Sequence, residues 1–306
     1  MAIHTRLAGR STRQRPLLWQ KLFPEGWGTV LRWFAMVILL GWAAFSLFPL
    51  YWTVITSFKP PADIAAFRPT LIITRFTLEN YIRFLKGIGI SNAPVGRWFH
   101  NSLVVTAATT IGTLLVCSWA GYAFARKQFW GRDLLFWSLI FTTLIPGFTT
   151  IAPLYVLTHD WGLHDTYWVL ILPAMASPFG VFLVRQFVVS LPEELFAAAK
   201  VDGASEFQLW SLIALPLSRP VLGTLGIFTL IGAWNDFLWP TLVLNKTRMF
   251  TLLAGASLLM YQFQGSGPNY GLSMAVSVLM SIVPVVGFII MQRQMVRGLT
   301  IGALKG

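Results

Sequence analysis

The chain has a single cysteine, Cys117, set inside an apolar run. An intrachain disulfide and a thiolate-held metal cluster are therefore excluded. Charge is scarce as well: 11% of the residues are charged, against about 25% in an ordinary soluble domain. With 56% hydrophobic residues, 24 Phe and 14 Trp, such a chain cannot build a normally solvated surface. The sequence contains no Gly-x-x-x-x-Gly-Lys-Ser/Thr run, so it lacks the phosphate loop of nucleotide hydrolases. Four histidines are present; His100, His159 and His164 fall near the ends of apolar runs without partners at metal-ligand spacing, so no metal site is expected. No Ser-His-Asp constellation stands out.

What is present is length of apolar sequence. A helix needs about 20 apolar residues to cross a bilayer. Trp33 to Ile55, Ser102 to Ala125, Leu134 to Thr158, Thr166 to Val184, Val221 to Leu244 and Tyr270 to Gln292 are six such runs, uncharged except for Asp236 in the fifth. Uninterrupted runs predict helices rather than the alternating strands of a barrel. The fold expected is all-α, integral to the membrane, with six transmembrane helices.

The net charge of +12 does not mark a nucleic-acid binder, because the basic residues are dispersed between the apolar runs. Membrane lipid head groups are the expected counter-charge. With the N-terminus inside, fifteen of the 23 Lys and Arg fall on inner segments. Among them are Arg6, Arg10, Arg13 and Arg15 at one end and Arg293, Arg297 and Lys305 at the other. Both termini are thus expected to be cytoplasmic, with residues 1–29 a cytoplasmic tail and not a signal peptide.

The outer segment from Thr56 to Arg97 is punctuated by Pro60-Pro61 and Pro69, after which Leu78, Tyr81, Ile82 and Leu85 recur at helical spacing. A short amphipathic helix is expected there, on the membrane face or against the bundle, with Thr77 as its cap. Asp160 and Asp165 lie in a short outer turn and are expected to be solvated. Pro49, Pro146-Gly147, Pro153, Pro173, Pro178, Pro240 and Pro284 interrupt the runs. Proline is frequent in membrane helices, yet so many breaks together favour a transporter over an anchor.

Between the fourth and fifth runs, about residues 190–220 read as helix, turn, helix. Pro192 suits a helix start, and Glu193 and Glu194 complement its dipole. Ala197, Ala198 and Ala199 permit close approach of another surface, Gly203 stops the helix in a left-handed conformation, and Ser205 with Gln208 forms a capping box for the next. Leu215-Pro216 ends it. An inter-helix linker is ordinarily 2–8 residues. Thirty structured residues carrying Phe207, Leu209, Trp210 and Ile213 read as either an elaborate linker or a docking platform.

That stretch resembles the EAA loop of ABC importer permeases: Ala198-Ala199, Asp202-Gly203-Ala204, Ile213, Leu215-Pro216-Leu217 and Pro220 match, while Ala197 stands where the motif has Glu. Phe58-Lys59-Pro60-Pro61, Phe76 to Tyr81, Asn101-Ser102-Leu103, Ala120 to Arg126, Trp234-Asn235-Asp236 and the tail Arg297 to Gly306 match the carbohydrate-uptake group, so that the resemblance covers residues 30–306. It implies a type I importer permease with a cytoplasmic coupling loop. It also implies a second homologous permease subunit, two ATPase subunits that carry ATP and Mg, and an extracytoplasmic sugar-binding protein in a bacterial plasma membrane. This chain itself would hold no cofactor and catalyse nothing. Glu193, Glu194, Ala197, Ala198, Ala199, Asp202, Gly203, Phe207, Leu215 and Pro216 would couple to the ATPase. Gly302 and Lys305, in the tail of about residues 297–306, would reach the ATPase interface.

For the substrate path the fifth run is the candidate. Asp236 is ionisable within apolar sequence, a functional mark in membrane proteins. Trp234, Asn235 and Trp239 flank it, offering aromatic faces and a group that both donates and accepts. The other reading has Asp236 near the outer interface, buttressing the bundle. A permease for a polyol or glycerol phosphate remains the alternative within the family. A secondary transporter would show inverted repeats and more intramembrane charge, and neither is visible.

Overall fold

The computed structural model describes residues 27–64, 70–86, 94–263 and 270–303. All regular elements among them are helical. They are α1 (Trp27–Ser57), α2 (Pro61–Ile64), α3 (Glu79–Leu85), α4 (Val95–Arg126), α5 (Arg132–Phe141, extended by a 3-10 turn, Thr142–Leu144) and α6 (Gly147–Asp160). There follow α7 (Trp168–Met175), α8 (Pro178–Val189), α9 (Glu193–Val201), α10 (Glu206–Leu217), α11 (Arg219–Trp234), α12 (Leu238–Val243), α13 (Leu252–Phe263) and α14 (Tyr270–Ala303). Two units divide the chain, Met1–Thr53 and Val54–Gly306. The packing described below lies within the second.

Three helices are long and apolar enough to cross a bilayer alone: Val30–Ser57, Val95–Arg126 and Tyr270–Ile290. The other apolar runs are broken. The third, expected as one helix, is α5 and α6 meeting at 108°. Pro146 has no N–H to donate and holds Ile145 extended (φ −77°, ψ 122°), which turns the chain. The fourth bends by 41° between α7 and α8. There Ser177 precedes Pro178 in an extended conformation and caps α8 by accepting from Gly180 N at 3.1 Å. The fifth, also expected as one helix, is α11 and α12 separated at Asn235, Asp236 and Phe237.

Helix α4 is the hub, packing against α7, α8, α11 and α13, while α11 packs against α14. The crossing of α4 with α8 is close because its contact residues are small. A Cβ placed on Gly121 would lie 2.7 Å from Val184 Cγ1, and one on Gly180 2.7 Å from Cys117 Sγ. Cys117 and Gly121, four apart, form a small-residue seam of the kind that lets membrane helices approach.

In the segment between α1 and α4, α3 forms where a short amphipathic helix is expected. Asn80 and Phe84 are buried, whereas Leu78, Ile82 and Leu85 are exposed. Asn80 Nδ2 donates to Ser57 O (2.9 Å) and Lys59 O (3.0 Å), which fixes the rotation of the helix. Thr77 Oγ1 accepts from Glu79 N at 3.1 Å. Lys59 is buried and donates to Thr70 O; burial pulls its pKa below the usual lysine value, partly offset by Asp63. Asp165 is not merely solvated: at φ 58° it accepts from the backbone N of Asn245 (2.5 Å) and Lys246 (3.0 Å), tying the turn between α6 and α7 to the chain beyond α12.

Candidate functional site

The loop at about residues 190–220 folds as its local chemistry directs. Helix α9 begins after Pro192 with Glu193 and Glu194 in its first turn. It ends in a Schellman motif: Ala204 N donates to Ala199 O (2.9 Å) and Gly203 N to Lys200 O (3.0 Å), with Gly203 at φ +80°. Ser205 and Gln208 form the capping box of α10, Gln208 N to Ser205 Oγ at 3.3 Å and Ser205 N to Gln208 Oε1 at 2.7 Å. Within α10, Leu209–Ala214 is π-helical, and the helix runs past Pro216 to Leu217 before a 77° turn into α11.

Which face of α9 is held and which is free follows from one residue. Phe196 is buried among Tyr122, Val184, Val188, Leu209 and Trp210. Arg126 stacks its guanidinium 4.5 Å over that ring and donates to Val188 O (2.9 Å) and Leu191 O (2.5 Å). The side turned away from it, Glu194, Ala197, Ala198 and Val201, is exposed, Val201 by 88%, and Glu193 is exposed in the first turn. Asp202 and Gly203 are exposed at its end, Ala199 is partly buried, and Leu215 and Pro216 are half-buried in α10. Phe207 is 57% exposed and sits 5.8 Å from Trp119 and 5.6 Å from Trp210, ring to ring.

Glu206 fixes α10 to the end of α4. It accepts from Tyr122 Oη at 3.0 Å and pairs with Lys127. The Lys127 ammonium holds the Glu206 carboxyl below the usual glutamate range, against opposing desolvation and with help from Tyr122 and Lys200. A depressed carboxyl stabilises the attachment above its unfolded value, near 4.5, and loses that contribution as pH falls through the lower folded value. Hydrogen exchange of residues 206–217, corrected for intrinsic rates, should therefore be flat from pH 8 to 5. It should rise a few-fold at most below about pH 4.5, because the pair is largely exposed. Glu206→Gln should remove the acid-dependent rise.

A second feature lies where the broken helices meet α4. A cavity of about 310 Å³ is lined by Thr109 and Thr113 of α4, Ala174, Ser177 and Phe179 around the α7–α8 bend, Leu225, Phe228, Thr229, Gly232 and Ala233 of α11, and Asp236 beyond it. Thr109 and Thr113 fall near the middle of the 32-residue α4. Thr113 Oγ1 donates to Ala174 O (3.3 Å) and Thr229 Oγ1 to Leu225 O (3.0 Å), whereas Thr109 Oγ1, buried, has no partner. Asp236 Oδ1 accepts from Trp239 N at 3.4 Å.

Of the four residues expected along the path, Asp236 alone lines this cavity. Trp234 is buried and donates its indole N–H to Met280 O of α14 (2.9 Å); Trp239 donates to Val169 O of α7 (2.8 Å). Asn235 is exposed at the end of α11. Gly302 falls in the last turn of α14, and Lys305 lies outside the described residues. Sequence reasoning passed over Phe196, Arg126 and Glu206 as anchors, and Thr109. The spacing of Tyr122 and Arg126, one helical turn apart at the end of a run, was the available signal for the first two.

Broken apolar helices around an open, largely apolar cavity with a few Thr, Ser and Asp side chains on its walls, joined to a structured loop, define a helical membrane transport component. The chain belongs to the family of binding-protein-dependent transport system inner membrane components, whose family model matches residues 103–301. It is 36% identical over 280 residues to the arabinooligosaccharides transport system permease protein AraQ of Halalkalibacterium halodurans, covering 90% of this chain and 98% of that protein. Its identity to the Bacillus subtilis protein of the same name is 34%, over 85% of this chain and 91% of the relative. The sn-glycerol-3-phosphate transport system permease protein UgpE of Escherichia coli O1:K1 is also 34% identical, over 87% and 95%. A crystal structure of a bacterial ABC transporter involved in the import of the acidic polysaccharide alginate shares the fold. Its TM-score is 0.75 at 21% identity, covering 89% of this chain and 99% of the other. A second structure, of the alginate transporter with an alginate pentasaccharide-bound periplasmic protein, matches at a TM-score of 0.56 and 17% identity, over 89% and 97%.

Proposed function

We propose that this chain is the permease subunit of an ATP-driven sugar importer, forming half of the translocation path. It works with a second homologous permease, two ATPase subunits that bind ATP and Mg, and an extracytoplasmic sugar-binding protein. The observation that carries the reading is the loop of α9 and α10: one face is locked to α4 by Phe196, Arg126 and Glu206, and the other, with Glu194, Ala197, Ala198 and Val201, is exposed. Such a platform transmits a push from a bound partner into α4 and hence into the cavity wall. The missing phosphate loop assigns ATP hydrolysis to that partner. The curated relatives that carry arabinooligosaccharides in their names support a neutral sugar as cargo. The glycerol-phosphate relative supports the second reading, a phosphorylated polyol.

In this reading both termini and the platform are cytoplasmic, and the residues before α1 form a tail. Ala197 replaces an acid that seats the loop in the ATPase, and Glu193 and Glu194, one turn earlier, take over that pairing. Glu193→Gln with Glu194→Gln should weaken ATPase association several-fold and blunt its salt dependence. The reading as a whole is tested by purifying the complex, reconstituting it in proteoliposomes and measuring ATP-dependent sugar uptake. Ser205→Cys should be labelled only from the ATPase side and Thr74→Cys only from the opposite side; Cys117 is buried and should stay silent. Labelling of Ser205→Cys from the side of Thr74 would refute the orientation.

A further inference from the structure

We propose that the turn joining α4 to α5 holds a phospholipid headgroup, and that the headgroup it fits is phosphoethanolamine, with Arg132 on the phosphate and Asp133 on the ammonium. The proposal needs only the membrane-spanning fold and holds whatever solute the chain carries.

Helix α4 ends at Arg126 and α5 begins at Arg132, so the turn between these two apolar helices falls where the bilayer meets water. Lys127 pairs with Glu206 of α10, which puts the turn on the same side as the platform. Gly131, at φ +77°, reverses the chain and leaves Trp130 pointing outward, 98% exposed. An indole that no other part of the chain covers suits headgroup depth, where Trp collects in membrane proteins. From there an apolar face runs along α5: Leu134, Trp137 and Phe141 recur at helical spacing and are exposed, while Phe136 on the other side is buried. Within the turn lies an open groove of about 460 Å³, lined by Gln128, Phe129, Gly131, Arg132, Asp133 and Leu134. Leu134 belongs both to the groove and to the apolar face. A groove with polar walls that opens onto a strip for hydrocarbon matches a molecule with a polar head and apolar tails.

The charges on the groove wall select the head. Arg132 donates Nε to Asp133 Oδ1 (2.8 Å) and Nη1 to Lys127 O (3.2 Å), and its Nη2 has no partner among the described residues. The Asp133 side chain is 67% exposed. An ion pair so exposed contributes little, so both members can turn to a ligand. Gln128, also exposed, adds an amide that donates and accepts. Phosphate oxygens only accept and suit the guanidinium; a primary ammonium only donates and suits the carboxylate. Phosphoethanolamine brings both groups, a short linker apart, to two side chains that are adjacent in sequence. The quaternary ammonium of phosphocholine has no N–H to give Asp133, and phosphoglycerol sets an uncompensated negative charge against it. Two other cations stand near. Lys127 is paired with Glu206, and Arg185, 4.1 Å over the Phe136 ring, adds positive potential at Asp133 without lining the groove.

The test offers the assembled, delipidated complex an equimolar mixture of phosphatidylethanolamine, phosphatidylglycerol and phosphatidylcholine with the same acyl chains, and counts retained lipids by native mass spectrometry. The unmodified complex should keep one more phosphatidylethanolamine than its Arg132→Gln variant, with no such difference for the other two lipids. Asp133→Asn should lose the same phosphatidylethanolamine and take phosphatidylglycerol in its place, because the repelling carboxylate is gone while Arg132 remains. No difference between the unmodified complex and Arg132→Gln, a difference that falls on phosphatidylglycerol or phosphatidylcholine, or an unchanged lipid count in Asp133→Asn overturns the proposal. A second arm needs neither charge variant. With p-benzoylphenylalanine in place of Trp130, irradiation in membranes should yield phospholipid adducts. Adducts with the ATPase or another protein instead would make the turn a protein contact and overturn the proposal.

Discussion

Gly203→Val should abolish coupled transport, lowering sugar uptake at least tenfold, while the complex still assembles in the membrane. Gly203 sits at φ +80°, where an L-residue brings its Cβ against its own backbone at roughly 1–2 kcal/mol, and a β-branched residue fares worse. No atom lies within 4 Å of a Cβ placed there, so the penalty is entirely conformational. Relief is available only by turning the chain out of the left-handed region, which breaks the Ala204–Ala199 and Gly203–Lys200 hydrogen bonds and re-aims α9 against α10. Asn tolerates this region, so Gly203→Asn should retain most of the uptake, and Gly203→Ala should fall between. If valine and asparagine behave alike, the turn is not what sets the coupling geometry. The measurement is ATP-dependent uptake alongside ATP hydrolysis by the same proteoliposomes: hydrolysis without uptake is the expected signature of Gly203→Val.

Phe196→Ala should be comparably severe, and for a different reason. The ring is 4% exposed and offers no surface to a partner, yet it is the one side chain of α9 buried in the core. Truncating a buried Phe costs about 3–5 kcal/mol. A nine-residue helix has no stability of its own to absorb such a loss. α9 should detach, taking the exposed Ala197 to Val201 strip out of register. ATPase copurification should drop at least tenfold, although no residue touching the partner has changed. Arg126→Met should give a milder version, since it leaves the Leu191 carbonyl without its donor, at about 1–3 kcal/mol if it stays dry, while Val188 O keeps the backbone N–H of Leu191. Phe196→Leu, which refills most of the volume, should restore association. Normal copurification in Phe196→Ala would show that α9 is held by its partner and not by the core beneath it. The expected rescue by leucine separates loss of packing from loss of an aromatic contact.

The sequence by itself determined the features governed by near neighbours in the chain. Charge-free runs determined the membrane class, because a bilayer rejects charge wherever the fold places the helix. Gly203 and the Ser205–Gln208 pair determined the helix-turn-helix, because capping and left-handed turns act over three to five residues. Even the break at Pro146 was written locally, although the 108° it produces depends on what α5 and α6 then pack against. Tertiary structure alone decided the rest. The stripe of Leu78, Ile82 and Leu85 fitted either the membrane face or the bundle; Asn80 reaching Ser57 O and Lys59 O turned it outward and Phe84 inward. Trp234 and Trp239 looked like sugar platforms beside Asp236, but their indole N–H groups are taken by carbonyls 46 and 70 residues away. Thr109, unremarkable in a helical run, became a lining residue only when α11 and the α7–α8 bend closed around it. Spacing along a chain fixes which side chains share a helix face. Which polar group on that face finds a partner is fixed by the other helices, through hydrogen bonds that a membrane interior makes too costly to leave unmade.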